Sequence, residues 1–223
     1  MKNYFNYILL LFITLFATSC DLTSDPSVGE TNTAKFAGEW YLQLMDATDS
    51  TVYINYSLAT TSNTASNVGD KIWFNDGEHF WNFQCIVNVN QDNLTFNVDS
   101  SINIFYEDPK TPASKPVVDI GTLKIVQSGA PERMKIENGK ISKGTFTPPS
   151  KTNTDFMSCL MTGIYKDFSF VAESYDIKDI DPDTAVVKLD TNVIWKFVNK
   201  KDNFDGPYII SGYKRTGFLE DEH

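Results

Sequence analysis

The sequence predicts an all-β protein, an antiparallel up-and-down barrel, with a two-sheet β-sandwich as the alternative. Three observations carry this expectation. Apolar and polar residues alternate over short stretches along much of the 223-residue chain, the period-2 signature of a strand with one dry and one wet face. Clusters of turn-forming residues separate those stretches. No segment sets apolar residues at i, i+3, i+4 and i+7 over three helical turns. Many antiparallel strands must either stack as two sheets or close on themselves, and a succession of short hairpins favours closure.

The chain opens with an export signal. Lys2 precedes the uncharged apolar run Ile8 to Phe16, which falls well short of the ~20 residues that a membrane-spanning helix needs. Small residues follow at Ala17, Thr18 and Ser19, and then Cys20. This arrangement resembles the lipobox of bacterial lipoproteins. Residues 1–19 are expected to be a cleaved signal peptide and Cys20 the lipid-attachment residue. Several acyl chains on one residue give lasting membrane attachment. Residues 20–35 are rich in Ser, Thr, Asp and Gly, so they read as a flexible tether with a reach of roughly 20 Å. The domain is expected over 36–223.

Within it, strands are expected at 36–45, 52–60 and 70–75. The clearest alternation is Trp81, Phe83, Cys85, Val87 and Val89 against Asn82, Gln84, Ile86, Asn88 and Asn90, resuming as Leu94, Phe96 and Val98 after a turn. Further strands are expected at 102–107 and 117–127. Asn138-Gly139 stands between Met134-Lys135-Ile136 and Ile141, and that dipeptide favours a tight I′ hairpin. Later strands are expected at 158–165, 168–175, 184–189, 192–199 and 207–214. Longer polar loops are expected at 61–69, 108–116 and 147–155.

The net charge of −10 becomes one unit more negative when Lys2 leaves with the signal. Such a chain repels nucleic acid and anionic lipid surfaces, which leaves the covalent anchor as its membrane attachment. Outside the cytoplasm Cys85 and Cys159 either form a disulfide or stand as two buried thiols in strands.

The domain begins Phe36-Ala37-Gly38-Glu39-Trp40-Tyr41 and ends GYKRTGFLEDEH. The Gly-x-Trp resembles the entry motif of lipocalins and the wider calycin group. Together with the lipobox, the length and the C-terminal segment, it resembles the family described as lipid-binding putative hydrolases, which are calycin-like lipoproteins of gut-type Gram-negative bacteria. The resemblance implies a barrel whose closed end is plugged by Trp40 stacked with Arg215, a contact worth about 0.5–2 kcal/mol. It also implies an apolar ligand cavity taking a lipid, a fatty acid or another small apolar molecule. The chain has 16 Phe, 10 Tyr and 4 Trp, enough for Trp73, Phe80, Trp81, Phe83, Phe96, Trp195 and Phe197 to line the interior. A side-chain-filled core is the alternative. The resemblance places the protein in the cell envelope, anchored at the outer membrane. Asp21 after the lipidated cysteine matches an inner-membrane retention signal of enteric bacteria, whereas in gut-type bacteria acidic residues there accompany surface export, and Asp21 alone does not decide between the two.

Catalytic motifs are sparse. The histidines are His79, in a turn-like stretch, and His223, at the terminus and expected to fray. Gly139 to Gly144 has one residue too many for a nucleophile elbow. Asp179 to Asp183 resembles part of a calcium loop but lacks its glycine and distal glutamate. Neither a metal nor a cofactor is expected, and no catalytic residue is assigned. Three functions follow in order: a lipid-anchored binder of apolar ligands, a surface module binding glycan or protein through exposed aromatics, and a hydrolase.

Overall fold

The computed structural model describes residues 31–108, 110, 123–127, 129–176, 179–180, 187–188 and 192–223. The expected signal peptide, Cys20, the tether up to residue 30, residues 117–122 and Asp181 to Asp183 lie outside these residues.

The described chain forms β1 (Gly38–Asp46), β2 (Val52–Asn63), β3 (Lys71–Asn75), β4 (Gln84–Asn90) and β5 (Thr95–Ile102). These are followed by β6 (Leu123–Gln127), β7 (Arg133–Phe146), β8 (Thr154–Asp176), the two-residue strands β9 (Asp179–Ile180) and β10 (Val187–Lys188), and β11 (Asn192–Lys214). All pairings are antiparallel. The order β11-β1-β2-β3-β4-β5-β7-β8 closes through a further β8–β11 pairing, so eight strands make a ring, the closure that the succession of short hairpins favours. β6 sits outside the ring, pairing with β8 at 167–171.

Alternation decides which side chains face inward. Trp40, Leu42 and Leu44 from β1, Ile72 and Phe74 from β3, and Cys85 and Val87 from β4 are buried. They join Phe83, Phe96, Met134, Ile136, Ile141, Met157, Cys159, Met161 and Ile210 in one core cluster. The barrel interior is therefore packed with side chains.

β7 corrects the hairpin expected at Asn138-Gly139. A type I′ turn needs positive φ at both residues, but only Asn138 has it, at 54°. The register instead slips by one residue there against both neighbours: Glu137 and Lys140 pair with Leu160 and Ser158, and Ile136 and Gly139 pair with Val98 and Phe96. This is a bulge. Met134 and Ile136 face inward before it, Gly139 and Ile141 after it, so the extra residue switches which parity of the strand is buried.

Two expected strand pairs are single strands. Residues 158–165 and 168–175 belong to β8, and 192–199 and 207–214 to β11, each 23 residues long. Their outer parts run past the ring as a ribbon, since β7 pairs with β8 only at 154–164 and β1 pairs with β11 only at 208–214. Lys166, which lies between the two expected segments, is satisfied by Asp202 and by Glu132 at 3.8 Å. No strand forms at 103–107, where buried Asn103 ties the loop down by donating to Asn82 and Pro131 carbonyls.

The tether is shorter than its composition suggests. Asn32 exchanges two hydrogen bonds with Asn67, Gln91 donates to the Asn32 carbonyl, and Thr33 is fully buried. Residues 32–35 thus belong to the domain.

Candidate functional site

One end of the barrel is built around fully buried Trp40. Its indole N–H donates to Thr61 Oγ1 at 2.8 Å, and that hydroxyl donates to the Phe36 carbonyl at 2.5 Å. The cation over the Trp40 ring is Lys214, at 5.8 Å, not the expected Arg215. Strand alternation explains the correction: Lys214 is the register partner of inward-facing Trp40, so the next residue faces outward. Arg215 there forms ion pairs with Glu39 at 2.8 Å and with Glu222. The glycine of Gly-x-Trp makes room for Lys214, whose Cε would lie 2.6 Å from a Cβ at Gly38.

A cleft of about 330 Å³ opens where the ribbon leaves the ring, lined by Leu44, Tyr53, Ile54, Phe80, Trp81, Tyr165, Asp205 and Tyr208. Asp76 sets one wall. Its buried carboxylate accepts the backbone N–H groups of Glu78, Phe80, Trp81 and Phe83, which folds the β3–β4 connection over the core edge. Trp81 then reaches across Gly163, where a Cβ would stand 3.4 Å from the indole nitrogen. On the far side, β11 bulges between Asp205 and Tyr208.

Asp205 is the polar centre. Trp81 Nε1 donates to Oδ2 at 2.8 Å and the Tyr208 hydroxyl to Oδ1 at 2.8 Å. The Tyr53 hydroxyl donates at 2.8 Å to Asp46. Hydrogen bonds from Thr48 hold the Asp46 carboxyl down at about 2, so it is ionised. The hydrogen bond to Asp205, with burial, pushes the Tyr208 phenol up to about 12, and burial followed by the Asp205 charge does the same for Tyr165. Both phenols stay neutral at physiological pH. The cleft thus presents neutral aromatic rings around an anionic carboxylate.

Of the interior residues expected from sequence, only Phe80 and Trp81 line this cleft. Phe83 and Phe96 are fully buried core. Trp73 is only half-buried, between inward-facing Ile72 and Phe74, so it is on the outer face. Trp195 and Phe197 belong to the ribbon, where Phe197 packs on Phe168 and Phe170 and is 49% exposed. Tyr53, Tyr165, Asp205 and Tyr208 escaped sequence reasoning, because nothing local marks residues that meet only when the ring closes. Cys85 and Cys159 are both buried free thiols in this structure. His79 is exposed. His223 does not fray: its Nε2 lies 2.5 Å from the Tyr213 hydroxyl, and it stacks on Tyr56. Among the described residues no group of three or more metal-ligating side chains converges.

A family model described as "lipid-binding putative hydrolase" matches residues 25–219. The chain belongs to that family. The match spans the whole ring, the ribbon and every residue of the rim cleft. No curated protein matches the chain. For a lipid-binding putative hydrolase, the barrel and the family description together support lipid binding, and the packed core directs attention to the rim.

Proposed function

We propose that this protein is a lipid-anchored envelope protein that holds a lipid or another small apolar ligand at the mouth of its barrel. The observation that carries this reading is the aromatic cleft at the rim of an otherwise filled barrel, in a chain of a lipid-binding family. Ligand sites are concave, mostly apolar and furnished with a few fixed polar groups, and the Trp81–Asp205–Tyr208 cluster has that make-up. The lipobox at Cys20 supports lipid attachment to a membrane of the envelope, the outer membrane being what the family resemblance implies.

Native mass spectrometry of the chain starting at Asp21 tests the reading, since every strand of the ring lies within 38–214. The expected spectrum shows one lipid-sized adduct per chain, or uptake of one added acyl ligand. A bare spectrum under both conditions overturns the proposal. A glycan-binding reading is favoured by one feature, the 55% exposure of Tyr53 beside Asp205 and Tyr208. Uptake of soluble oligosaccharide in the same spectra, with no lipid, would establish it instead.

A further inference from the structure

We infer that the rim cleft receives the cationic head of an amine- or quaternary-ammonium-bearing amphiphile, held among Tyr53, Trp81, Tyr165 and Tyr208 against Asp205. This rests on the cleft being the ligand site and goes further, to the chemistry of what enters it.

The first argument is the lining. Five of the eight lining residues carry aromatic rings, and a cation over such rings is attracted by their negative faces. These rings stand at angles to one another instead of stacking: Trp81 meets Tyr208 at 49° and Tyr53 meets Tyr208 at 85°. Neither contact is face to face, so each leaves ring faces that the other ring does not cover.

The second argument is the charge. A carboxylate has about four acceptor sites, and the two hydrogen bonds to Asp205 leave others open. The ion pairs seen among the described residues lie elsewhere, on Glu39, Glu132, Glu137, Asp155, Asp202 and Glu222. Among the described residues, no Lys or Arg neutralises Asp205, or Asp46 behind Tyr53. An anionic head, such as a fatty-acid carboxylate, would meet a like charge there. An ammonium head would meet a counter-charge and ring faces together, while its chain lies along Leu44, Ile54 and Phe80.

Calorimetric titration with three soluble probes of similar chain length separates head from tail: hexyltrimethylammonium, hexyl glucoside and hexanoate. Hexyltrimethylammonium is expected to bind at least about ten-fold more tightly than the others, the scale of a desolvated cation–π contact. Asp205→Asn, which keeps the shape of the side chain, should remove most of that preference. Tyr53→Leu, at an exposed position, should weaken the ammonium probe several-fold without disturbing the fold. Asp99→Asn removes an exposed carboxylate on β5 and should change nothing, which controls for the overall negative charge. Equal or tighter binding of hexanoate or the glucoside, or an Asp205→Asn variant with unchanged preference, overturns the ammonium site and leaves the ligand reading standing. Binding of none of the three also overturns it, and the native spectra decide separately whether the cleft holds lipid.

Discussion

Gly139 of β7 lies directly against Phe96 of β5: a methyl group at Gly139 would stand 2.3 Å from the Phe96 carbonyl oxygen and 2.4 Å from its ring. The bulge at Asn138 delivers this residue to the inner face, where only a hydrogen atom fits. Gly139→Ala should therefore destabilise the barrel by about 2–3 kcal/mol, the cost of overpacking a closed core. Urea unfolding monitored by circular dichroism measures it. Wild-type stability in the variant would mean that the two strands separate more readily than the packing implies.

Thr61 satisfies two groups at the Trp40 end of the barrel, accepting from Trp40 and donating to the Phe36 carbonyl. Thr61→Val keeps the volume but strands a buried indole N–H. A loss of about 1–3 kcal/mol is expected. Thr61→Ser should retain most of the wild-type stability, which separates the hydrogen bonds from the methyl packing.

The fold class is legible because strand alternation is a local property. Trp81 to Val89 and Leu94 to Val98 announce their faces without reference to the rest of the chain. The bulge is less legible, although its trace is present: Met134 and Ile136 share one parity and Ile141 has the other, a mismatch that a hairpin and a bulge explain equally well. The long strands are hidden because charged Lys166 and Asp202 look like breaks until they pair. The cation over Trp40 stands one position before the expected Arg215, and one position in a strand is a change of face. The cleft is the least legible feature, since Tyr53, Trp81 and Asp205 come from β2, a loop and β11, and only ring closure brings them together.

Asp76 organises the cleft without entering it. Its carboxylate accepts four backbone N–H groups from the loop that carries Phe80 and Trp81. Asp76→Ala leaves those donors unpaired and should cost about 3 kcal/mol, since hydrogen bonds to a charged group contribute about 1.5–3 kcal/mol each and water recovers part of the loss. Ligand affinity should fall as well, because the Trp81 wall loosens. Denaturation and titration on the same variant report both effects, and an unchanged affinity would remove this loop from the site.

Cys85 and Cys159 are both buried in the core, and burial pushes the Cys85 thiol up to about 12 and the Cys159 thiol higher still. Only the thiolate is nucleophilic. Both cysteines should resist iodoacetamide in the folded protein and become alkylated on unfolding, as peptide mass mapping would show. A disulfide-linked pair in protein made under oxidising conditions would contradict the free thiols seen here.

The C-terminus supplies a pH dependence whose sign follows from Asp221. Burial raises its pKa, but hydrogen bonds from Ser150 and Thr216 more than offset that and bring it below the ordinary value of 3.8. The distances are 2.7 Å from the Ser150 N–H and 2.6 Å from the Thr216 hydroxyl. A carboxyl with a lowered folded-state pKa stabilises the fold fully above its unfolded value, and that stability is lost as pH falls through the folded value. Closure of the C-terminal segment over Tyr41, Tyr56 and Tyr213 should accordingly be complete at neutral pH and weaken in acid, below the ordinary aspartate pKa. Asp221→Asn should lower stability at pH 7 and flatten the acid limb, so that variant and wild type converge at low pH. Chemical denaturation across the acid range reads this directly. Parallel curves, offset equally at every pH, would show that Asp221 acts through its shape and not its charge.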